Sequence, residues 1–325
     1  MSERAKGFTR RQFLGTTAGG VAAGLSLGAA RTGSAGSATM PRRRLGRTGL
    51  SLSVLGFGGG SQFQKNRDGT WEPLLERAVE EGVNYFDTAS EYGFGGKQHS
   101  EIRFGEILPK YRDRVYICTK FNPREPDGMM KEVEESLGRL RTDYVDFLML
   151  HSIEKSEDVA VVEQGVWARM RQLKEEGTAR YIGFSSMNSA DKSKEIIEKL
   201  HPDVALLAMN PTQYGRFAEI ALPAARAKNV GVMAMKVVRN LVGVDGTTAE
   251  ELMGYSLGQD GVSSAVIGHA GIEVFEENVR LSTRLAERPA AAVARERAVL
   301  ETRLAAHAGP HTLPWARPDY RDRWA

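Results

Sequence analysis

From residue 53 onward the chain alternates short, nearly continuous apolar runs with longer stretches in which apolar residues recur every three or four positions. The runs are "SVLGFGG", "VNYFDTA", "RVYICTKF", "VDFLMLHS", "RYIGFSS", "DVALLAMN", "GVMAMKV" and "SSAVIGH". Parallel strands covered on both faces read this way, because neither face needs polar residues for water. Between them, "EPLLERAVEEG" sets Leu74, Leu75 and Val79 on one helical stripe, and "GMMKEVEESLGRLR" does so with Met130, Val133, Leu137 and Leu140. "GVWARMRQLKEEG" ends in Gly177, a C-capping glycine. Similar helical patterns fall around 190–200, 217–228, 248–258 and 273–286. Eight strands, each followed by a helix, predict an α/β fold, a (β/α)8 TIM barrel. The rival, a doubly wound open sheet, needs a Gly-rich turn that opens a helix at once after the first strand. "LGFGGGSQFQK" lacks that spacing and offers no prompt helix, so the barrel is preferred.

Three further segments flank the barrel, which is expected to span residues 39–288. Ahead of it, "PRRRLGRTGLSLSVLG" has a Thr-Gly turn between alternating runs and predicts a β-hairpin. Behind it, residues 289–325 hold an Ala/Arg-rich helix and the tail "PWARPDYRDRWA". That tail either packs its aromatic residues on the barrel wall or forms a lid over a pocket, and could also serve an oligomer contact. Residues 1–38 read as an export signal and linker: paired Arg10 and Arg11 before Phe13 and Leu14, then a weakly apolar Ala/Gly run, then small residues. The apolar run is too short and Gly-rich for a comfortable membrane span, so no stable anchor is expected. The twin arginines followed by Phe-Leu resemble a bacterial twin-arginine signal, implying a periplasmic or secreted protein that meets the export machinery already folded. Cleavage after Ala30, Ala35 or Ala38 fits the small residues at −3.

Composition changes this picture little. Hydrophobic residues make up 41% and charged residues 26%, enough for a large core. A net charge of +3 is too near balance to argue for nucleic acid. The single cysteine, Cys118, lies in an apolar run and reads as an inert core thiol, which rules out intramolecular disulfides.

In a barrel of this kind the C-terminal strand ends form the active face. The polar residues expected there are Asp87 with Tyr92 in the loop beyond, Lys120, His151, Ser185 and Ser186, Asn210, Lys236, and Gly268 followed by His269. Singly, each has a plain structural explanation. Together, Asp87, Lys120 and His151 come from adjacent strands, with the Tyr92 loop above them. A phenol has a reference pKa near 10, and a neighbouring ammonium favours its ionised form. Asp87 would keep Lys120 charged and fixed, and His151 could hydrogen-bond a substrate oxygen. That set describes a tuned general acid aimed at a carbonyl. A metal-dependent hydrolase would need clustered ligands at the strand ends, and only His151 and His269 qualify, so no metal is expected. His307 and His311 fall in the tail and read as loop composition.

With these residues in hand, the chain resembles an aldo-keto reductase over about residues 40 to 285. "FDTASEYG" with Ser100-Glu101, "TKF", "DFLMLHS", "IGFSS", "MAMK" and "EEN" at 276–278 stand in that family's order, and "RRRLGRTGLSLSVLGFG" is similar to its bottom-closing hairpin. The resemblance implies an NADPH- or NADH-dependent oxidoreductase acting on a small-molecule carbonyl. Tyr92 would be the acid, Lys120 and Asp87 its tuning pair, and His151 the substrate-orienting group. Ser185 and Ser186 match the nicotinamide carboxamide positions, Asn210 lies near the ring, and Lys236 starts the loop over the pyrophosphate. Gly268, Glu277 and Asn278 match the adenosine end. Several positions depart from the family: Ser186 where many members carry Asn, Leu206 where many carry Gln, and Met209 where an aromatic often stacks on the ring. "IGHAGIEVFEEN" also has no Lys or Arg to grip a 2′-phosphate, and His269 is a weak substitute, which leaves NAD and NADP both open. The same scaffold also supports a nucleotide-binding regulatory or accessory protein with little turnover, as in the similar ion-channel subunits, and only the site decides between the two.

Overall fold

The computed structural model describes residues 40–93, 99–288 and 290–317, without the side chains of 290–294. The expected export signal, and the tail beyond Arg317, lie outside the described residues. All described residues belong to one contact unit, Ala38–Ala325.

Eight parallel strands close into a barrel in chain order: β3 Leu55–Gly58, β4 Tyr85–Asp87, β5 Tyr116–Phe121, β6 Val145–Leu150, β7 Ala179–Ser186, β8 Val204–Ala208, β9 Gly231–Met235 and β10 Val262–Gly268, which pairs back onto β3. Every residue of β4, β6, β8 and β9 is buried, as continuous apolar runs require of strands covered on both sides. Helices alternate with the strands: α1 Ser61–Gln64, α2 Trp71–Glu80, α3 Ser100–Ile107, α4 Pro126–Leu140, α5 Val159–Val162, α6 Ala168–Glu176, α7 Ala190–Leu200, α8 Ala221–Ala227, α9 Ala249–Leu257, α10 Ile272–Ala286 and α11 Ala290–Leu304. Among the described residues no helix is long and apolar enough to cross a membrane.

Two local expectations need correction. A four-residue helix, α1, does follow β3 directly, although the closed sheet removes the open-sheet reading on its own. In α4 the buried face runs through Met129, Val133, Ser136 and Leu140, so the stripe is turned by one position from Met130 and Leu137, which are half-buried. Small Ser136 fits under the helix beside Leu140, whereas an apolar count alone favours the larger Leu137.

The hairpin of β1 Arg42–Arg44 and β2 Ser51–Ser53 is antiparallel and seals the N-terminal end of the barrel. Leu45 is fully buried against the first residue of β9, where a Cβ on Gly231 would meet Leu45 Cγ at 2.5 Å. Gly46 has a φ of +44° and so little room that a Cβ would lie 2.4 Å from Gly231 N. Tyr181 O–H donates to Thr48 O at 2.8 Å, tying β7 to the hairpin. One end is thus sealed by backbone and Leu45, leaving the chemistry to the other.

Candidate active site

Strand periodicity explains which side chains reach the barrel interior. Residues two apart share a face, and ring contacts place Tyr85, Phe147 and Tyr181 together: Tyr85–Phe147 centroids are 5.6 Å apart and Phe147–Tyr181 5.7 Å. Continuing by twos toward the C-terminal ends brings Asp87 from Tyr85, His151 from Phe147, and Ser185 from Tyr181. On β5 the opposite parity faces outward, where Thr119 Oγ1 donates to Glu101 of α3 at 2.5 Å, so Lys120 faces in.

Lys120 is almost wholly buried and donates to Asp87 Oδ2 at 2.8 Å and to Thr88 O at 2.6 Å. Asp87 takes a second donor on its other oxygen, the Tyr85 hydroxyl at 3.2 Å. Desolvation, reinforced by the nearby Cys118 and Asp87, pushes the Tyr85 phenol well above its ordinary value, so it stays a neutral donor. A buried carboxylate needs such partners, because charge is costly in low dielectric without them. Cys118 lies in the same interior, and burial raises its thiol far above the usual range, so it is inert as expected.

Tyr92 closes over this pair. Its ring centroid stands 4.9 Å from Lys120 Nζ and 5.7 Å from the His151 ring, at 71° to it. The backbone is fixed on both sides: Tyr92 N donates to Ala89 O at 3.0 Å, and Ser100 N, opening α3, donates to Tyr92 O at 2.8 Å. Gly93 permits the bend at φ +156°, where a Cβ would lie 2.6 Å from His99 Cα. Glu101, fully buried, is held by Arg139 Nε at 2.6 Å as well as by Thr119, which locks α3 against β5. The backbone of His151 is anchored by its own N–H to Phe121 O at 2.9 Å and by Arg124 on its carbonyl at 2.8 Å.

A cleft of about 630 Å³ opens at the same end. Asp87 and Tyr92 border it, and it runs past Leu206, Met235 and Lys236 to Gly268, Glu277 and Asn278. Gly58 and Gly60 let the first strand's end form its floor. Val242 and Val274 on its lining are 55% and 46% exposed, two of the four large hydrophobic residues left in solvent among the described residues.

The remaining expected cofactor residues divide. Lys236, Gly268, Glu277 and Asn278 line the cleft; Ser185, Ser186 and Asn210 do not. Ser185 Oγ accepts from Ser152 N at 2.9 Å and shapes the loop after β6. Ser186 has the outward parity, is fully buried, and donates to Ser189 O at 3.3 Å. Asn210 sits two residues past β8; it accepts from Thr212 N and Oγ1 at 3.2 and 2.7 Å and donates to Lys236 O at 3.3 Å. It therefore braces the loop that carries Lys236. Met209 is buried, its carbonyl accepting from Ser256, and the methionine on the cleft is Met235.

His269 cannot serve as a phosphate grip. It is fully buried between Phe57 and Phe275, each 5.1 Å away between ring centroids, with Asn278 Nδ2 3.2 Å from its Nδ1. Burial lowers its pKa to about 3, so the ring is neutral. The folded value lies below the unfolded value of about 6.5, so the unfolded chain binds the extra proton and stability falls as pH drops below about 6.5. This one group is expected to cost roughly 2 kcal/mol at pH 5 relative to pH 7.5. Urea unfolding of the wild type and His269→Gln at both pH values checks this: the substitution should flatten the pH dependence by about that amount.

The tail approaches this end of the barrel. Trp315 is fully buried, its ring lies 5.6 Å from Lys236 Nζ, and Asn188, after β7, has its side-chain amide 2.7 Å from Trp315 O. The C-terminal segment therefore reaches the loops after β7 and β9.

A closed (β/α)8 barrel with a buried Asp–Lys pair under a tyrosine, beside an open cleft at its C-terminal end, defines a class of single-domain barrel oxidoreductases. The sequence profile of the Aldo/keto reductase family matches residues 54–244, more than half the chain. The chain belongs to that family, and with it to the NAD(P)-dependent oxidoreductases. It is 28% identical to L-galactose dehydrogenase of Arabidopsis thaliana over 285 residues, 75% of this chain and 88% of that protein. It is likewise 28% identical to D-threo-aldose 1-dehydrogenase of a Pseudomonas species, over 58% of this chain and 67% of that one. An aldo-keto reductase from Bacillus halodurans, solved in its holo form, shares the fold at a TM-score of 0.65, with 22% identity over 80% of this chain and 96% of that one.

Proposed function

We propose that this protein transfers a hydride between a nicotinamide dinucleotide and a small-molecule carbonyl or alcohol, with Tyr92 as general acid and base. The observation that carries the reading is the convergence of Tyr92, Lys120, Asp87 and His151 beside the cleft. The residues present fit a dinucleotide: the cleft carries the exposed apolar side chains of Val242 and Val274, and cations Lys236 and Arg239 border its β9 side. When bound, the nicotinamide supplies the hydride chemistry. The chain's own groups do the rest. Tyr92 gives its proton to the substrate oxygen during reduction and takes it back during oxidation. Lys120 favours the ionised phenol left behind, and Asp87 with Tyr85 holds Lys120 in place. His151 orients the substrate oxygen from the other side of the tyrosine.

Mixing the purified protein with reduced nucleotide and a carbonyl panel, followed by nucleotide fluorescence, tests this directly. Because two of the relatives are named for sugar oxidation, L-galactose and other aldoses belong in the panel, with oxidised nucleotide. Binding of nucleotide with no turnover on any carbonyl or alcohol would favour the regulatory reading instead.

The leader carries a separate proposal: export by a twin-arginine route to the periplasm or beyond, with cofactor bound before transport. The paired Arg10 and Arg11 ahead of Phe-Leu support it. Replacing both by lysine is expected to leave the protein in the cytoplasm on cell fractionation, and continued export would dismiss the route. Mature protein recovered under mild conditions should yield nucleotide on mass spectrometry, and a nucleotide-free sample would dismiss the carried cofactor.

A further inference from the structure

Resting on the reading of Tyr92 as general acid, we propose that His99 is its positioning residue: the neutral ring, with its proton on Nε2, fastens the Tyr92 loop to the start of α3, and a second proton on the ring releases it. Both ring nitrogens are in use. Nε2 lies 2.8 Å from Ser90 O, and Glu101 N lies 3.3 Å from Nδ1. A backbone N–H can only donate, so Nδ1 is the acceptor and Nε2–H donates to the carbonyl. The tautomer is set by its partners.

The two bonds fall on either side of the tyrosine. Ser90 stands two residues before Tyr92, and its own N–H donates to Lys120 O at 3.0 Å. Ser100, directly after His99, donates its N–H to Tyr92 O at 2.8 Å. His99 thus joins the backbone bonded to Lys120 to the first turn of α3, with Tyr92 between them. The helix side is rigid, because Glu101 is held in the interior by Thr119 and Arg139. Slack from a broken latch therefore appears at Ser90 and Tyr92.

A second proton would stand on Nδ1 and point at the Glu101 N–H, setting two donors face to face. The charged groups facing the ring are Glu101 from α3 and Arg139 from α4; they are bonded to each other at 2.6 Å and act on it in opposite senses. Glu132 of α4 is already taken by the Ser90 hydroxyl and Asn122 N–H, at 2.7 and 3.1 Å. Burial is the largest influence and holds the ring below the ordinary histidine value of about 6.5. The folded value lies below the unfolded one, so the latch is intact above about pH 6.5 and is lost as pH falls through the folded value.

Capping of α3 alone would stabilise the helix and leave the rate untouched, and the experiment separates the two. Carbonyl reduction uses the protonated phenol, which acid does not remove, so an acid-side fall in kcat has another source. Full-length wild type, His99→Gln, His99→Ala and His99→Lys are assayed on both sides of about pH 6.5, with melting curves at each pH. Wild-type kcat should fall on the acid side while nucleotide affinity holds within a few fold. H99Q, whose amide donates and accepts but takes up no proton, should keep the neutral-pH kcat and lose the acid fall. H99A and H99K should be about tenfold slower or more at every pH, since a small misplacement of a reacting group costs that much. No acid fall in the wild type, a fall that persists in H99Q, or H99A and H99K as fast as the wild type would overturn the assignment. Hydrogen exchange of the peptide opening α3 reads the latch without turnover: the wild type should match H99Q at about pH 7.5 and exchange faster than it at about pH 5.5. Equal exchange at both pH values would also overturn it, whereas a wild type inactive on every carbonyl would remove the general-acid reading instead.

Discussion

Replacing Tyr92 by Phe is expected to lower kcat for carbonyl reduction by about 10²–10⁴-fold while nucleotide affinity stays within a few fold. The phenyl ring keeps the packing against Lys120 and His151 and removes only the hydroxyl. Melting curves of the variant check that the fold is kept. Steady-state kinetics beside a fluorescence titration separate the two effects. Full turnover in Tyr92→Phe would remove this residue from the acid role.

Lys120→Met should cost both stability and rate. The lysine is buried, and its loss leaves the buried Asp87 carboxylate without its ammonium partner. Breaking a buried pair by removing one partner typically destabilises by about 3–5 kcal/mol, because the other charge is left uncompensated. Adding Asp87→Asn should recover part of this, since the neutral amide no longer needs the ammonium. Denaturant unfolding of both single variants and the double variant checks the coupling. Turnover should not recover in the double variant, because the charge beside Tyr92 is still missing. Recovery of rate together with stability would mean that Lys120 acts only as a strut.

Much of this site was legible because strands alternate. Asp87, Lys120, His151 and Ser185 stand at strand ends with the parity that faces the interior, and apolar runs locate those ends well. The same periodicity sets Ser186 apart: one residue further on, its side chain faces the opposite surface. Asn210 and Met209 lie past the end of β8, where a continuous apolar run gives no signal that the strand has stopped. Tyr85 sits inside an apolar run, and its hydroxyl matters because it falls two residues before a buried carboxylate. His269 reads in sequence as a weak substitute for a phosphate-gripping cation, and burial between two phenyl rings leaves it neutral.

The central claim is that a proton moves through Tyr92 under the influence of the Lys120 charge. Its most direct measurement is the pH dependence of kcat/KM for alcohol oxidation by the wild type and by Lys120→Met. The account predicts that the limb set by the phenol moves to higher pH in the variant, beyond any drop in height. Two profiles of the same shape, differing only in height, would contradict it.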